Sequence, residues 1–305
     1  MDGSKLVQAA QIVAGAQQYP AATLYVVATP IGNLADLSLR AVHVLALVDA
    51  VACEDTRHSA ALLRHLGLEK ALLAVHEHNE RSASDAVVAR LGRGERVAYV
   101  SDAGTPAVSD PGAALVAAVA SAGHRVVPIP GPSSALAALA VAGDPHADGF
   151  VFVGFLPARG AERSRRLDAV ARAASAQVLF EAPHRIESLA SALREACPGR
   201  TATICRELTK QFETIATMPC RDVLAWLAAD PNRARGEFVL VLHAVPAATQ
   251  VSAADEHDPV LAPLLAALPL KQAVALAAEI GGAPRNVLYA RALELKGRSG
   301  GDEPG

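Results

Sequence analysis

Residues 96–112 read RVAYVSDAGTPAVSDPG and decide the fold. The run RVAYV is β-branched and aromatic, as a buried strand requires. It runs into a Gly/Pro/Ser/Asp loop. Asp110-Pro111 then predicts a helix start, with Asp as N-cap and Pro at the first helical position. That helix is expected to end near Gly123. Strand, loop and helix in this order make one unit of a parallel α/β sheet. Such sheets hold ligands at the C-terminal ends of their strands. Asp102 leaves the strand at that point, where its carboxylate can accept hydrogen bonds from a ribose or an amino group. Gly104 permits close backbone approach, Thr105 adds a hydroxyl and Val108 an apolar wall. A plain Asx-turn is the alternative reading of Asp102, but the loop carries too many special residues for a simple connection.

The same pattern recurs on both sides. Residues 23–28 (TLYVVA) form a strand followed by the loop 28–34 (ATPIGNL), and Asp36 is expected to cap a helix through about residue 47. Strands follow at 50–53, 72–75 and 125–129, and helices at 56–65 and 81–91. The loop 129–134 (IPGPSS) leads into a helix capped by Ser133 or Ser134. Residues 143–149 (GDPHADG) mark a domain boundary. The second half has strands at 150–153, 177–180, 201–206 and 237–243, a further short strand at 214–218, a basic helix at 161–174 and helices at 183–196 and 222–228. Some of its connections are too short for a helical crossover, so antiparallel pairing is expected there. The tail offers helices at 260–268, 270–280 and 285–296, the last two joined by Gly281-Gly282 in a helix-turn-helix-like shape. The expected organisation is a flexible start at 1–22, α/β domains at 23–143 and 150–245, a linker at 246–258, a helical extension at 259–297 and a flexible end at 298–305.

The chain has 305 residues, 51% of them hydrophobic, and a formal net charge of −3, which exclude a disordered chain and a whole-chain polycation. No apolar run is long enough to span a bilayer. Four cysteines show no C-x-x-C pair and no zinc-like His spacing, so neither a metal site nor a disulfide framework is expected. Glutamines and glycines interrupt the apolar stretches of the first 22 residues, which therefore lack a signal-peptide core, and cytoplasm is the default compartment. The basic residues are 23 Arg against five Lys, a bias that base composition explains.

None of the strand-end loops is a dinucleotide fingerprint, a P-loop or a nucleophile elbow. This points to a ligand without phosphate, such as S-adenosylmethionine. Residues 53–58 (CEDTRH) read equally as a substrate-facing cluster or as a helix cap flanked by acids. The run 76–80 (HEHNE) resembles metal ligands only superficially. FEAPHR at 180–185 and RELTKQFE at 206–213 are further charged exits from strands. Residues 155–172 carry five Arg against two acids, a cluster suited to phosphate contacts.

Eight motifs in order, ATPIGNLADLSLRA, CEDTRHSAALLRHLGL, SDAGTPAVSDPG, GPSSALAAL, GFLPARG, FEAPHR, RELTK-x-FE and GEFVLVL, closely resemble the ribosomal RNA small subunit methyltransferase I family. That family belongs to the tetrapyrrole-methylase-like class of S-adenosylmethionine-dependent enzymes. The tail resembles the family's small helix-turn-helix extension. The resemblance implies two α/β domains of tetrapyrrole-methylase type with the cofactor cleft between them, a homodimer, no metal and no membrane. It implies 2′-O-methylation of a cytidine ribose in the decoding centre, on 16S rRNA or the small ribosomal subunit. It assigns S-adenosylmethionine to Pro30, Gly32, Asp102, Ala103, Gly104, Thr105, Val108, Ser133, Ser134, Glu181 and Leu208. It leaves RNA to Arg57, Arg159, Arg163, Arg165 and Arg166. In GFLPARG, Ala158-Arg159 stands where the family often has two basic residues.

For the chemistry, Glu181 or Glu207 is expected to accept the proton or orient the hydroxyl. His184 is a rival base. Lys210 or Arg185 is expected to stabilise the developing alkoxide or hold a phosphate. A small-molecule methyltransferase and a non-enzymatic nucleic-acid module are the alternatives. The second is weakened by a tail with five basic and seven acidic residues from Pro246 onward.

Overall fold

The computed structural model describes residues 3–76, 79–246 and 257–299, which divide into two compact units, 1–244 and 245–305. The first unit opens with helix α1 (Gly3–Ala14), so the expected flexible start is corrected. Its apolar residues are interrupted by Gln8 and Gln11, so it reads weakly as a helix, but tertiary packing sets it. Ala10 is fully buried in the same core as Ala41, Val44 and Leu45 of α2 (Leu39–Leu47).

Strand β1 (Thr23–Val27) precedes α2, followed by β2 (Ala50–Cys53), α3 (Thr56–His65), β3 (Ala71–Ala74), α4 (Glu80–Gly92), β4 (Val97–Val100), α5 (Ala113–Ser121) and β5 (Arg125–Ile129). The five strands form a parallel sheet ordered β3-β2-β4-β1-β5. One face packs against α1, α2 and α3, and the other against α4 and α5. Two cap expectations are corrected. Asp36 lies in a short 3-10 turn, and Ser38 caps α2 by accepting from Ala41 N at 3.1 Å. Asp110 does not cap α5, because Gly112 with φ +119° intervenes beneath the Tyr99 ring and the helix starts at Ala113.

Helix α6 (Ser134–Ala142) joins the halves. Its small residues Ala135, Ala138 and Ala142 are buried against Val178, Cys205, Val239 and Val241 of the second sheet. That sheet comprises β6 (Phe150–Phe155), β7 (Ala176–Glu181), β8 (Thr201–Arg206), β9 (Thr214–Pro219) and β10 (Phe238–Leu242), ordered β6-β7-β10-β8-β9. β6 and β7 are parallel, and the other pairings are antiparallel. Helices α7 (Ala161–Arg172), α8 (Ile186–Ala196) and α9 (Cys220–Ala228) cover its other face. The helix expected at 183–196 begins as a 3-10 turn, Pro183–Arg185.

The second unit contains α10 (Asp258–Ala267), α11 (Leu270–Gly281) and α12 (Arg285–Ser299), around a small core of Leu261, Val274, Ala277, Leu288 and Ala292. Most of the linker expected at 246–258 and of the C-terminal end expected at 298–305 lies outside the described residues, although α12 itself runs to Ser299. Among the described residues, no helix is long and apolar enough to cross a membrane.

Candidate active-site cleft

The parallel sheet brings the loops after β1, β4 and β5 to one edge, where they bind one another. Thr29 N donates to Gly104 O at 2.9 Å, and Gly104 N returns a bond to Thr29 O at 3.0 Å. Thr29 Oγ1 donates to Ser101 O at 3.1 Å, and Thr105 Oγ1 to Pro132 O at 3.0 Å. Gly104 adopts φ +80°, a conformation that suits glycine. Two non-glycine residues of the same loop, Ala107 (φ 63°) and Ser109 (φ 69°), are also left-handed. Strain of this kind persists only where the surroundings impose it.

Ala103, Thr105, Val108, Ser133 and Ser134 line one cavity of about 230 Å³. Phe155, Phe180 and Glu237 close it from the second sheet. Val108 is 43% exposed and Phe155 52% exposed, so apolar surface faces the opening. Ser133 also caps α6, accepting from Leu136 N. Burial, helped by the charge of Asp102, pushes the Asp110 carboxyl above the usual range. Sequence reasoning missed Phe155, Phe180, Asp110 and Glu237 as cavity residues. All four stood inside quoted motifs: Asp110 in SDAGTPAVSDPG, Phe155 in GFLPARG, Phe180 in FEAPHR and Glu237 in GEFVLVL.

Asp102 and Pro30 line a second cavity of about 290 Å³, with Thr29, Leu34, His58 and Leu62. The consecutive residues Asp102 and Ala103 thus form walls of two different cavities. Asp102 Oδ1 accepts from Asp55 N at 3.2 Å. Asp55 caps α3 by accepting from Arg57 N at 2.8 Å, and also pairs with the Arg57 guanidinium at 2.7 Å. Hydrogen bonds from Arg57 hold its carboxyl down to about 2. The CEDTRH turn therefore contains a real helix cap, and it also borders this second cavity through His58.

The loop after β8 carries the densest polar chemistry. Lys210 Nζ lies 2.9 Å from Glu207 Oε1 and 3.0 Å from Glu237 Oε2. Glu207 Oε1 also accepts from Glu237 N at 2.8 Å. Burial disfavours both charges, but the hydrogen bonds prevail. Glu207 falls below the usual carboxyl range, and Lys210 rises above the usual amine range. Gly32 sits against this pair, since a Cβ there would lie 2.5 Å from Lys210 Cγ. Leu208 packs with Ala135 and Ile31. Thr209 Oγ1 is buried with no hydrogen-bond partner among the described residues, an orphaned donor beside Gly32.

Other expected residues lie apart from this arrangement. The Glu181 side chain is fully buried, 3.0 Å from Arg185 Nε and 3.6 Å from Arg163 Nη1. Those arginines also donate to Pro157 O and Leu156 O, so the three residues hold α7, the Pro183–Arg185 turn and the end of β6 together. Arg163, with a side chain only 14% exposed, is thus committed inward, contrary to its expected place on an RNA face. Arg159, Arg165 and Arg166 are exposed. Because α7 starts at Ala161, Arg159 precedes the helix rather than lying on it. His184 is exposed on its turn. Glu77 and His78 of the HEHNE run lie outside the described residues.

The two-sheet unit has the tetrapyrrole-methylase fold. Cobalt precorrin-4 methyltransferase is similar to it at TM-score 0.55 and 16% identity, over 72% of this chain and 94% of that one. Uroporphyrin-III C-methyltransferase from Thermus thermophilus, solved with S-adenosyl homocysteine, is similar at TM-score 0.51 and 19% identity, over 72% and 97%. Residues 23–224 match the family of Tetrapyrrole (Corrin/Porphyrin) Methylases, and residues 251–296 match the RsmI C-terminal HTH domain. Ribosomal RNA small subunit methyltransferase I of Pseudomonas aeruginosa is 50% identical over 282 residues, spanning 92% of this chain and 99% of that protein. Its Escherichia coli O157:H7 counterpart is 46% identical over 275 residues, spanning 90% and 96%. The chain belongs to the ribosomal RNA small subunit methyltransferase I family.

Proposed function

We propose that this chain is an S-adenosylmethionine-dependent methyltransferase that methylates the ribose 2′-oxygen of a cytidine in the decoding centre of 16S rRNA. Beyond family membership, the observation that carries this reading is the Lys210–Glu207–Glu237 cluster seated against Gly32, beside the cross-tied loops. It puts a fixed cation at the edge of the cofactor cleft. The residues fit the cofactor: Ser133, Ser134 and Thr105 offer hydroxyls, Gly104 a close backbone approach, and Val108 and Phe155 apolar cover. S-adenosylmethionine supplies a methyl group already activated by its sulfonium charge.

The chain's own work is positioning and charge. The bonded loops hold a fixed wall against which donor and acceptor can be aligned, and orientation of this kind accounts for much of such a rate enhancement. Lys210, kept protonated by its two carboxylate neighbours, faces the negative charge that develops on a ribose oxygen or holds an adjacent phosphate. Glu207 is too weakly basic to remove a ribose proton efficiently, so its role is to fix Lys210 and orient the hydroxyl. Glu181, His184 and Arg185 are assigned by position: Glu181 and Arg185 hold the second half of the cleft, and His184 stands exposed as the remaining candidate base.

Arg159, Arg165, Arg166 and Arg57 are proposed to meet RNA phosphates. The homodimer is supported by exposed apolar residues, Phe150 and Val151 on the edge strand β6 and Leu136 and Val141 on α6. A ribosomal substrate in turn supports a cytoplasmic location. The domain limits proposed are 23–143 and 150–245, with the helical extension at 259–297. The test is transfer of labelled methyl from S-adenosylmethionine to small ribosomal subunits, naked 16S rRNA or a porphyrin precursor. Label on a cytidine 2′-oxygen is expected, and label on the porphyrin alone would overturn the reading.

A further inference from the structure

A cavity of about 680 Å³ opens beside the Lys210 cluster, at the other end of the Glu207–Thr214 loop. Its walls include Arg206, Gln211, Phe212, Glu213, Asn232 and Arg235, and it reaches Glu207 and Gly236. Of the residues assigned to cofactor or catalysis, Glu207 alone is among its walls.

Its polar groups divide into two sets. One set builds the walls. Arg206, only 8% exposed, donates to Phe212 O at 2.7 Å and Asn232 O at 3.3 Å. Glu213 Oε2 accepts from Thr209 N at 2.6 Å, and Asp230 Oδ1 from Asn232 N at 2.8 Å. These carboxylates are thereby taken up by backbone N–H groups. The other set is left over. Arg235 and Gln211 are exposed at its mouth, and among the described residues the Arg235 guanidinium has no carboxylate partner and the Gln211 amide no hydrogen-bond partner. Phe212 presents its ring 67% exposed, on a loop whose backbone is fixed by the Arg206 bond.

An unpaired guanidinium, a free amide and an exposed but anchored aromatic ring match the chemistry of an unstacked nucleotide. The ring stacks the base, the guanidinium holds a phosphate, and the amide meets a base edge. We infer that this cavity is a subsite for a single unpaired nucleotide flanking the methylated one. The inference rests on the rRNA reading above, and it adds where the neighbouring nucleotide goes and which residues select an unstacked strand. The cavity shares Glu207 with the Lys210 cluster, so a chain whose ribose lies at Lys210 is adjacent to it.

The test is a double-mutant cycle between protein and RNA. The RNA is 16S rRNA, free or reconstituted into small subunits, whichever the wild-type chain methylates. Phe212→Ala, and an abasic residue placed at each nucleotide flanking the target in turn, are measured singly and together by equilibrium binding and by single-turnover methyl transfer. Phe212→Ala is expected to weaken RNA binding about tenfold. At one flanking position, the abasic lesion is expected to cost nothing further in the variant. Phe212→Trp should retain binding, and Arg235→Ala should reduce the salt slope of binding by about one. S-adenosylmethionine affinity should not change in any of them. Fully additive effects at every flanking position would overturn the inference, while wild-type methylation of the cytidine would still support the function proposed above. A wild-type chain that methylates no rRNA would instead sink that function. A Phe212→Ala chain that binds RNA normally but sediments as a smaller species would make the surface a protein interface.

Discussion

Gly32 and Lys210 lie so close that a single added carbon on Gly32 would sit 2.5 Å from Lys210 Cγ. The contact joins the first strand-end loop of one sheet to the β8–β9 loop of the other. It sets where the ammonium group stands relative to the cleft. Gly32→Ala must push the lysine stem aside, and at φ +157° it also puts a side chain on backbone that favours glycine, so the variant carries strain of its own. The expected result is a fall of about 100-fold in single-turnover rate, the scale of a displacement of about 1 Å at a reacting centre. The unfolding midpoint should fall modestly from the backbone strain, so the rate is compared per folded molecule. A variant with the wild-type rate would show that the Lys210 position does not matter to the chemistry.

Glu181 is expected to matter for stability more than for turnover. Its carboxylate is fully buried between Arg163 and Arg185, whose side chains are 14% and 19% exposed. Glu181→Gln leaves two largely buried guanidinium groups without their counter-charge, a loss of about 3 kcal/mol. Denaturant unfolding should show it. The rate per folded molecule should stay within a few fold of wild type. A stable but inactive Glu181→Gln chain would return this residue to the reacting centre.

The sequence made much of this visible. Strands β1, β4 and β5 are apolar runs, and each ends in a loop rich in Gly, Pro, Ser, Thr or Asp, more than a plain connection needs. The failures have physical causes. Helix α1 has a weak pattern of its own and owes its place to Ala10 and Ala14 packing into the core. Asp110-Pro111 carries local helix-start chemistry, but Gly112 must fit beneath Tyr99, and the helix waits until that turn is complete. The direction of Glu181 depends on strand register. Phe180 faces the α6 side of the sheet with Val178, so its neighbour faces the helices on the opposite side. The basic run at 155–172 shows charge, but which arginine turns inward is decided by the carboxylate beneath it.

The Lys210 cluster predicts a particular pH response. Glu207 is held below its ordinary 4.5, so its contribution to stability is full above that value and is lost as pH falls through the lowered one. Lys210 is held above its ordinary 10.5, so its contribution is full below that value and is lost as pH rises through the raised one. Both are intact across neutral pH. Lys210→Met should therefore be less stable than wild type at pH 7, with the gap closing in acid, below the usual carboxyl range. Denaturant midpoints at a series of pH values measure this. A gap that persists unchanged into strong acid would show that the pair does not couple.

Cys197 should be the most reactive thiol. The Cys220 sulfur, 3.9 Å away, and the nearby Arg200 bring it below the usual thiol range, while burial pushes Cys205 up to about 12. Cys53 is fully buried and also raised by burial. Brief alkylation of the native chain near neutral pH, followed by peptide mass mapping, should label Cys197 first. Equal labelling of Cys205 would contradict the placement of these thiols.

The exposed arginines separate from the buried one in a salt titration. Replacing Arg159, Arg165 and Arg166 together by Ala should weaken RNA binding and reduce the salt slope by about two to three. Folding should be unaffected, since their side chains lie in solvent. Arg163→Ala should do the reverse, lowering stability by removing a bond to Pro157 O and a partner of Glu181 while leaving the salt slope nearly unchanged. An unchanged slope in the triple variant would make that helix face an ordinary solvated surface.

The helical unit has few buried apolar residues, and a small core of that kind needs a staple. Arg291 supplies it. Its side chain is 8% exposed and binds Asp258 through two contacts, Nε to Oδ1 at 2.9 Å and Nη2 to Oδ2 at 2.6 Å, with Glu294 2.8 Å from Nη1. The pair ties the last helix to the first residue of α10. Geometry of this bidentate kind is stronger than a typical surface pair. Arg291→Ala removes both bonds to Asp258 and the contact with Glu294. Hydrogen exchange on the full chain should then show protection lost across residues 258–299, with the amides of β1, β4 and β10 unchanged. Loss in both regions at once would mean that the helical unit does not unfold on its own, and no loss in either would mean that its apolar core suffices without the arginine.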